Sequence, residues 1–227
     1  VALQVCAMLA MAIGLERLRI RTKSIVHNIG ALAVTAIAGL FIVFGLFLLD
    51  MPMFWSIDVG GVIWNELLLA YALPAALMLA LSYVVAGQRR AGYANTLAGI
   101  ALVLAMTYVT LQVRRFFHGP VLSAGGTSDA EQYAYSLAWL AVGVVLLVVG
   151  LAFASQRARL ASAVVIGFGG LLWLAAILFM AQTAQNSEQF SRLHPWILMI
   201  NVAGLIVLVG LLGTKLGQLV RDWRGHV

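Results

Sequence analysis

A chain of 227 residues with 63% hydrophobic and only 10% charged side chains has too little polar surface to cover a soluble globule, so an integral membrane protein is expected. The net charge of +6 does not argue for a nucleic-acid partner, because the basic residues stand in pairs and quartets at the ends of apolar runs, where membrane topology accounts for them. Cys6 is the single cysteine, which excludes an intrachain disulfide and a cysteine-based metal site.

Apolar runs of roughly 20 residues, the length needed to cross ~30 Å of hydrocarbon, recur between clusters of Arg, Lys, Gly, Pro and Asn. A β-barrel would alternate in short segments instead. The pattern predicts an all-α, polytopic transmembrane helix bundle of about seven segments. The first is expected to be truncated, since the chain opens inside an apolar run with no basic stretch of a signal peptide before it, and the whole reads as a piece of a longer protein. Val1 to Gly14 is the remnant of that first span, followed by a basic turn holding Glu16, Arg17, Arg19, Arg21 and Lys23. Ile25 to Leu49 is the second span, with His27 and Asn28 at its basic end and a stop at Asp50-Met51-Pro52. The connection from Met51 to Gly61 contains Trp55 and Asp58 but no Lys or Arg. Val62 to Ala86 is the third span, kinked at Pro74, and Tyr93 to Val113 the fourth. Tyr133 to Phe153, Ala161 to Met180 and Trp196 to Thr214 complete the set.

Consecutive spans must place consecutive connections on opposite sides, while the positive-inside rule assigns sides from charge alone. The two assignments agree: eleven of the fourteen basic residues fall on the side called cytoplasmic, including Arg89, Arg90, Arg157, Arg159 and the C-terminal Lys215, Arg221 and Arg224. Arg114 and Arg115 are two of the three on the other side. Such side chains can snorkel to headgroup phosphates.

They open the one long polar interruption of the chain, RRFFHGPVLSAGGTSDAEQYAY. A helix running from Tyr93 to Phe117 would place Arg114 and His118 one turn apart on a face. Gly119-Pro120 would stop it and Gly125-Gly126 would let the chain turn back. Ser128-Asp129-Ala130-Glu131 has the spacing of a capping box, in which hydroxyl and carboxylate satisfy the free amides of a helix start. Glu131 would then share a face with Tyr135. Arg114, Arg115, His118, Asp129, Glu131 and Tyr135 are therefore the candidate cluster: the cations suit an anion, the carboxylates a proton or cation. A cap with an interfacial loop accounts for the same residues without a ligand. On the second view, Glu131→Gln is nearly silent, because glutamine can still complete a capping box; on the first, the inserted fold survives loss of the charge because the interface is solvated.

Asn65 and Glu66 are the intramembrane polar candidates. Placed four residues into the third span, Glu66 either anchors at the interface with Trp64 or lines a cavity. Gly210, Gly213 and Gly217 give the last span a small-residue face for packing on other membrane helices or on a second copy of the chain. Gly167-Phe168-Gly169-Gly170 has no preceding strand and reads as helix packing rather than a phosphate loop. The four histidines are scattered without ligand spacing, so no metal, no cofactor and no catalytic residue is assigned.

The segment from Arg114 to Gly143, with its HGP…SDAE-Y-AYS-W pattern, resembles a signature of a domain-of-unknown-function family of long, multi-spanning bacterial membrane proteins. Asn65 to Pro74, with Tyr71 between, resembles the same family, and the likeness runs roughly from Val1 to Leu160. It implies a helical membrane fold and no established activity. From about Gly167 to Gly225 the chain is similar to the two-helix membrane anchor of nitrogen-regulation-type sensor histidine kinases, including the Pro195-Trp196 start, Asn201 and a basic exit. Two regions are therefore expected, 1–160 and 161–227, joined near 157–163. Together these readings imply a non-catalytic, multi-pass protein of a bacterial inner membrane, with a cytoplasmic C-terminus and the bilayer as its partner. Two alternatives stay open: a signal-input anchor lacking its kinase core, which would need phospho-acceptor and ATP-binding segments, and a transporter or lipid-handling protein, which would need a polar cavity near Glu66 and Arg114.

Overall fold

The computed structural model describes residues 1–152, 159–167 and 169. All its named elements are helical, and among the described residues four helical stretches are long and apolar enough to cross a membrane: Ile25–Leu49, Leu68–Val85, Ala91–His118 and Ala130–Ala152. The chain forms two compact units, Val1–Glu131 and Gln132–Val227. Of the sixth span, expected over Ala161 to Met180, only residues 161–167 and 169 are described, and they are helical. The seventh, with Gly210, Gly213 and Gly217, lies outside the described residues.

In the first unit, helix α1 (Ala2–Thr22) packs on α2 (Ile25–Leu40) and on α3 (Leu73–Val85), and α3 packs on α4 (Ala91–His118). The basic run expected as a turn after Gly14 is instead the last two turns of α1, which continues to Thr22 and ends where Lys23 adopts a left-handed conformation. Nothing in Arg17 to Thr22 breaks a helix, and Arg19 and Arg21 favour the negative end of its dipole. Val5, Leu9 and Ala12 of α1, Met78, Leu81 and Val85 of α3, and Leu97, Leu104 and Leu111 of α4 form the apolar centre.

Two wide, π-helical segments interrupt the α geometry, Phe41–Leu49 at the end of α2 and Leu68–Ala72 ahead of α3. Pro74 accounts for the second. It has no N–H and its ring crowds the carbonyl four residues back, so the preceding turn widens and the Leu73 amide reaches Leu68 instead. The two segments are tied together, because the Tyr71 hydroxyl donates to the Leu46 carbonyl at 2.9 Å and its fully buried ring meets Phe47 edge-on at 5.9 Å.

The third span does not start at Val62. Helical structure begins at Glu66, and residues 61–64 form the tip of a turn closed by a bridge between Gly60 and Asn65. A hydropathy pattern cannot separate an apolar turn from an apolar helix, and Val62-Ile63-Trp64 supplied the apolar run that extended the span.

In the second unit, α5 (Asp129–Ala152) continues from Gln132 and meets the helical residues 159–167 across a close contact at Gly143. Ser162 Oγ donates to the Gly143 carbonyl at 2.7 Å, and a Cβ on Gly143 would overlap Ile166 Cγ1. Small residues let membrane helices approach in this way. Gly143→Leu should therefore lower thermal stability in detergent by about 1–3 kcal/mol, the usual cost of overpacking; an unchanged melting curve would mean that this approach is not made.

Candidate functional site

The polar stretch folds as a cap over the C-terminal end of α4, within the first unit. Gly119 takes a positive φ of 75° and ends the helix, and Gly125, at φ 78°, turns the chain back beside His118. A Cβ on Gly125 would stand 3.2 Å from His118 Nδ1, so this glycine supplies both the conformation and the room for the ring. Ser128 then starts α5, its hydroxyl accepting the Glu131 amide at 3.3 Å in the N-cap to N3 geometry.

The Glu131 carboxylate is the centre of the arrangement. It is 0% exposed, with Oε1 3.1 Å from Arg114 Nη1 and Oε2 2.8 Å from His118 Nε2. Arg114 and His118, one turn apart on α4, converge on it as their spacing predicts. Arg114 is itself buried and binds the loop it faces: Nε donates to the Leu122 carbonyl at 2.6 Å, Nη2 to the Gly125 carbonyl at 3.4 Å and Nη1 to Thr127 Oγ1 at 3.5 Å. One guanidinium thus closes the loop from 119 to 127 around the carboxylate. This burial overturns the expectation of a solvated interface that loses the Glu131 charge at little cost, since the carboxylate is 0% exposed.

Arg115 does not join them. A step of about 100° around the helix turns it to the other side, where Nε and Nη2 donate to the Gly60 carbonyl at 3.1 and 2.7 Å. Tyr135 lies one turn further along α5, in the second unit. The side chain of Asp129 is outside the described groups.

The two connections at this end are fastened into one layer. The Val59 amide donates to the Pro120 carbonyl at 3.0 Å, Asp58 pairs with Val121, and the Ser56 and Ser123 hydroxyls are 3.2 Å apart. Val59 and Leu122 are buried beneath it.

Asn65 is the cap of the third span: Oδ1 accepts the Leu68 amide at 3.0 Å, and Nδ2 donates to Gln112 Oε1 at 2.9 Å on α4. Glu66 therefore sits in the first turn of the helix, near its positive dipole end, and is exposed. It lines a cavity of about 410 Å³ together with Asp50, Leu46, Val59, Leu67 and Leu69.

A second buried cluster, at the other end of α4, was not read from the sequence. Glu16 is 0% exposed; Oε2 accepts Arg19 Nε at 2.7 Å, and Oε1 accepts Arg89 Nε at 2.7 Å and Nη2 at 2.6 Å. The Arg89 guanidinium also lies 5.5 Å from the centre of the Tyr93 ring. The signal was present in the spacing, because Val5, Leu9, Ala12 and Glu16 continue one buried stripe at helical intervals. From Tyr93 to Arg114 is a rise of about 32 Å along α4, close to the thickness of a bilayer's hydrocarbon, so the two buried carboxylates mark opposite ends of the span.

Among the described residues, no group of His, Cys, Asp and Glu has the geometry of a metal site. No curated protein and no solved structure matches the chain. A family model described as Predicted membrane protein (DUF2339) matches residues 1–171, past the break expected near 157–163. With its apolar helices, its polar groups gathered at the ends of α4 and that match over most of its length, the chain belongs to the DUF2339 family of predicted membrane proteins.

Proposed function

We propose that this region is a non-catalytic, multi-pass scaffold of a bacterial inner membrane, with its basic turns and C-terminus in the cytoplasm and the cap over α4 outside. The observation that carries this reading is the state of Glu131: a fully buried carboxylate with each oxygen engaged by Arg114 or His118 is built to hold two segments together. The clusters near the two ends of α4 support the same role, since one fastens the 119–131 connection to α4 and the other fastens the turn before α4 to α1.

The test uses reconstituted vesicles. A scaffold supports no proton or ion flux, and Glu131→Gln weakens the fold. Flux through the unmodified protein that Glu131→Gln abolishes without loss of fold would replace the scaffold with a transporter. That second reading draws on one feature, the cavity bearing Asp50 and Glu66 on its wall. The signal-input reading rests on residues 161–227.

The orientation makes its own prediction. Reporter fusions after Arg90 and Arg159 should read cytoplasmic, and fusions at Asp58, Gly125 and Glu188 external. A cytoplasmic readout at Gly125 would invert the scheme and make Arg114 and Arg115 ordinary inside residues.

A further inference from the structure

The turn between Gly60 and Asn65 is positioned against α4 by three successive levels of contact. Asp58 pairs with Val121, beyond the end of the helix. Gly60 receives the Arg115 guanidinium, and the Val62 carbonyl receives the Gln112 side-chain amide one turn deeper. The chain therefore descends along α4 toward the bilayer before Asn65 brings it back and Glu66 starts the next helix. Its four-residue tip is Gly61-Val62-Ile63-Trp64, and the three side chains it carries are exposed, Ile63 at 69% and Trp64 at 84%. Phe116, one turn above Gln112 on α4 itself, is 77% exposed in the same layer.

From this geometry we infer that the tip of the 60–65 turn enters the bilayer, with Val62 and Ile63 among the acyl chains and the Trp64 indole at headgroup level. Depth is the first argument. Gln112 lies about 28 Å along α4 from Tyr93, inside the ~30 Å of a hydrocarbon core that begins near Tyr93 at the opposite boundary. The second argument is backbone chemistry. The Val62 carbonyl, at the level of Gln112, has two side-chain amide donors, Gln112 Nε2 and Asn65 Nδ2 at 3.3 Å, so the protein itself satisfies this polar group where water is scarce. Composition is the third: the tip has no charged residue, and Val62, Ile63 and Trp64 are all exposed. Tryptophan at such a level is the usual anchor of a membrane boundary. The occupant is therefore the lipid leaflet at the C-terminal end of α4, whichever side of the membrane that proves to be. The inference rests on membrane insertion of α4 and not on the scaffold reading.

Spin labels test it in the full chain, reconstituted into phosphatidylcholine vesicles with a minority of phosphatidylglycerol. In a Cys6→Ala background, Ile63→Cys and Asp58→Cys are labelled separately, and collisions with oxygen, which concentrates in lipid, are compared with collisions with a water-soluble nickel chelate. The label at 63 should be reached by oxygen and lose its response to nickel, while the label at 58 responds to nickel. Equal nickel access at both positions would overturn the inference, and so would a label at 63 that neither reagent reaches, which would mean that protein covers the tip. An independent readout keeps Cys6 in place: Trp64→Phe should remove a component of tryptophan emission that brominated phosphatidylcholine quenches. Unchanged fractional quenching in that variant would count against the insertion.

Discussion

Glu131→Ala should destabilise the first unit by about 3–5 kcal/mol, the cost of leaving a buried charge without its partner. Arg114 would remain buried, held to Leu122, Gly125 and Thr127 but without the carboxylate that neutralises it. Its surroundings offer water little access, so the loss exceeds the ~1 kcal/mol typical of an exposed ion pair. Glu131→Gln should fall in between, because the amide can still accept one hydrogen bond while the charge is gone. Two variants calibrate the measurement. Ser128→Ala removes only the acceptor for the Glu131 amide and should cost ~0.5–2 kcal/mol. Arg114→Ala combined with Glu131→Ala should cost less than the sum of the two, since each single change strands the other member. Thermal or detergent-induced unfolding of the purified protein in mild micelles reads all five variants, the single Arg114→Ala included. A Glu131→Ala loss below ~1 kcal/mol would mean that the carboxylate is solvated and that the cap is held by its backbone contacts alone.

Glu16→Ala should have an effect of the same order, about 3–5 kcal/mol, at the opposite end of the bundle. Here one carboxylate lies between two guanidinium groups, so its removal leaves Arg19 and Arg89 facing each other across a partly buried space. The two arginines are not equivalent. Arg19 shares a helix with Glu16, whereas Arg89 reaches it from the turn between α3 and α4, 73 residues away in sequence, and so ties α1 to that turn. Arg89→Ala leaves Glu16 its local partner and should cost less than Glu16→Ala. Limited trypsin digestion gives a local readout: cleavage after Arg89 and Arg90 should accelerate in Glu16→Ala, because the turn is released from α1. Digestion at the unmodified rate, with unchanged stability, would show that the turn is held without the cluster.

Hydropathy and length determined the class and the four membrane-length helices seen among the described residues, because a bilayer demands about 20 apolar residues per crossing whatever their neighbours are. Local spacing was equally informative where the interaction is local. Arg114 and His118 lie on one face because they are four residues apart in a helix, and Ser128 to Glu131 marks a helix start because the N-cap bond closes over three residues. Nothing local separates Arg114 from Arg115. Adjacent and identical in type, they differ only in the direction each leaves the helix, and the folded connections decided that one meets a buried carboxylate and the other the Gly60 carbonyl. Glu16 posed the same difficulty, since four cations around it in sequence suggest a solvated turn until α1 is seen to continue and carry it into the core. The apolar tip at Val62 to Trp64 read as the start of a span because hydropathy records what a residue avoids and not the backbone that carries it. Only Asn65, Gln112 and Arg115, converging from separate parts of the chain, fixed that backbone as a turn. Partition into lipid is a property summed over a segment and is legible in one dimension; the partner of a buried charge depends on which segments pack together, and only the tertiary structure supplies it.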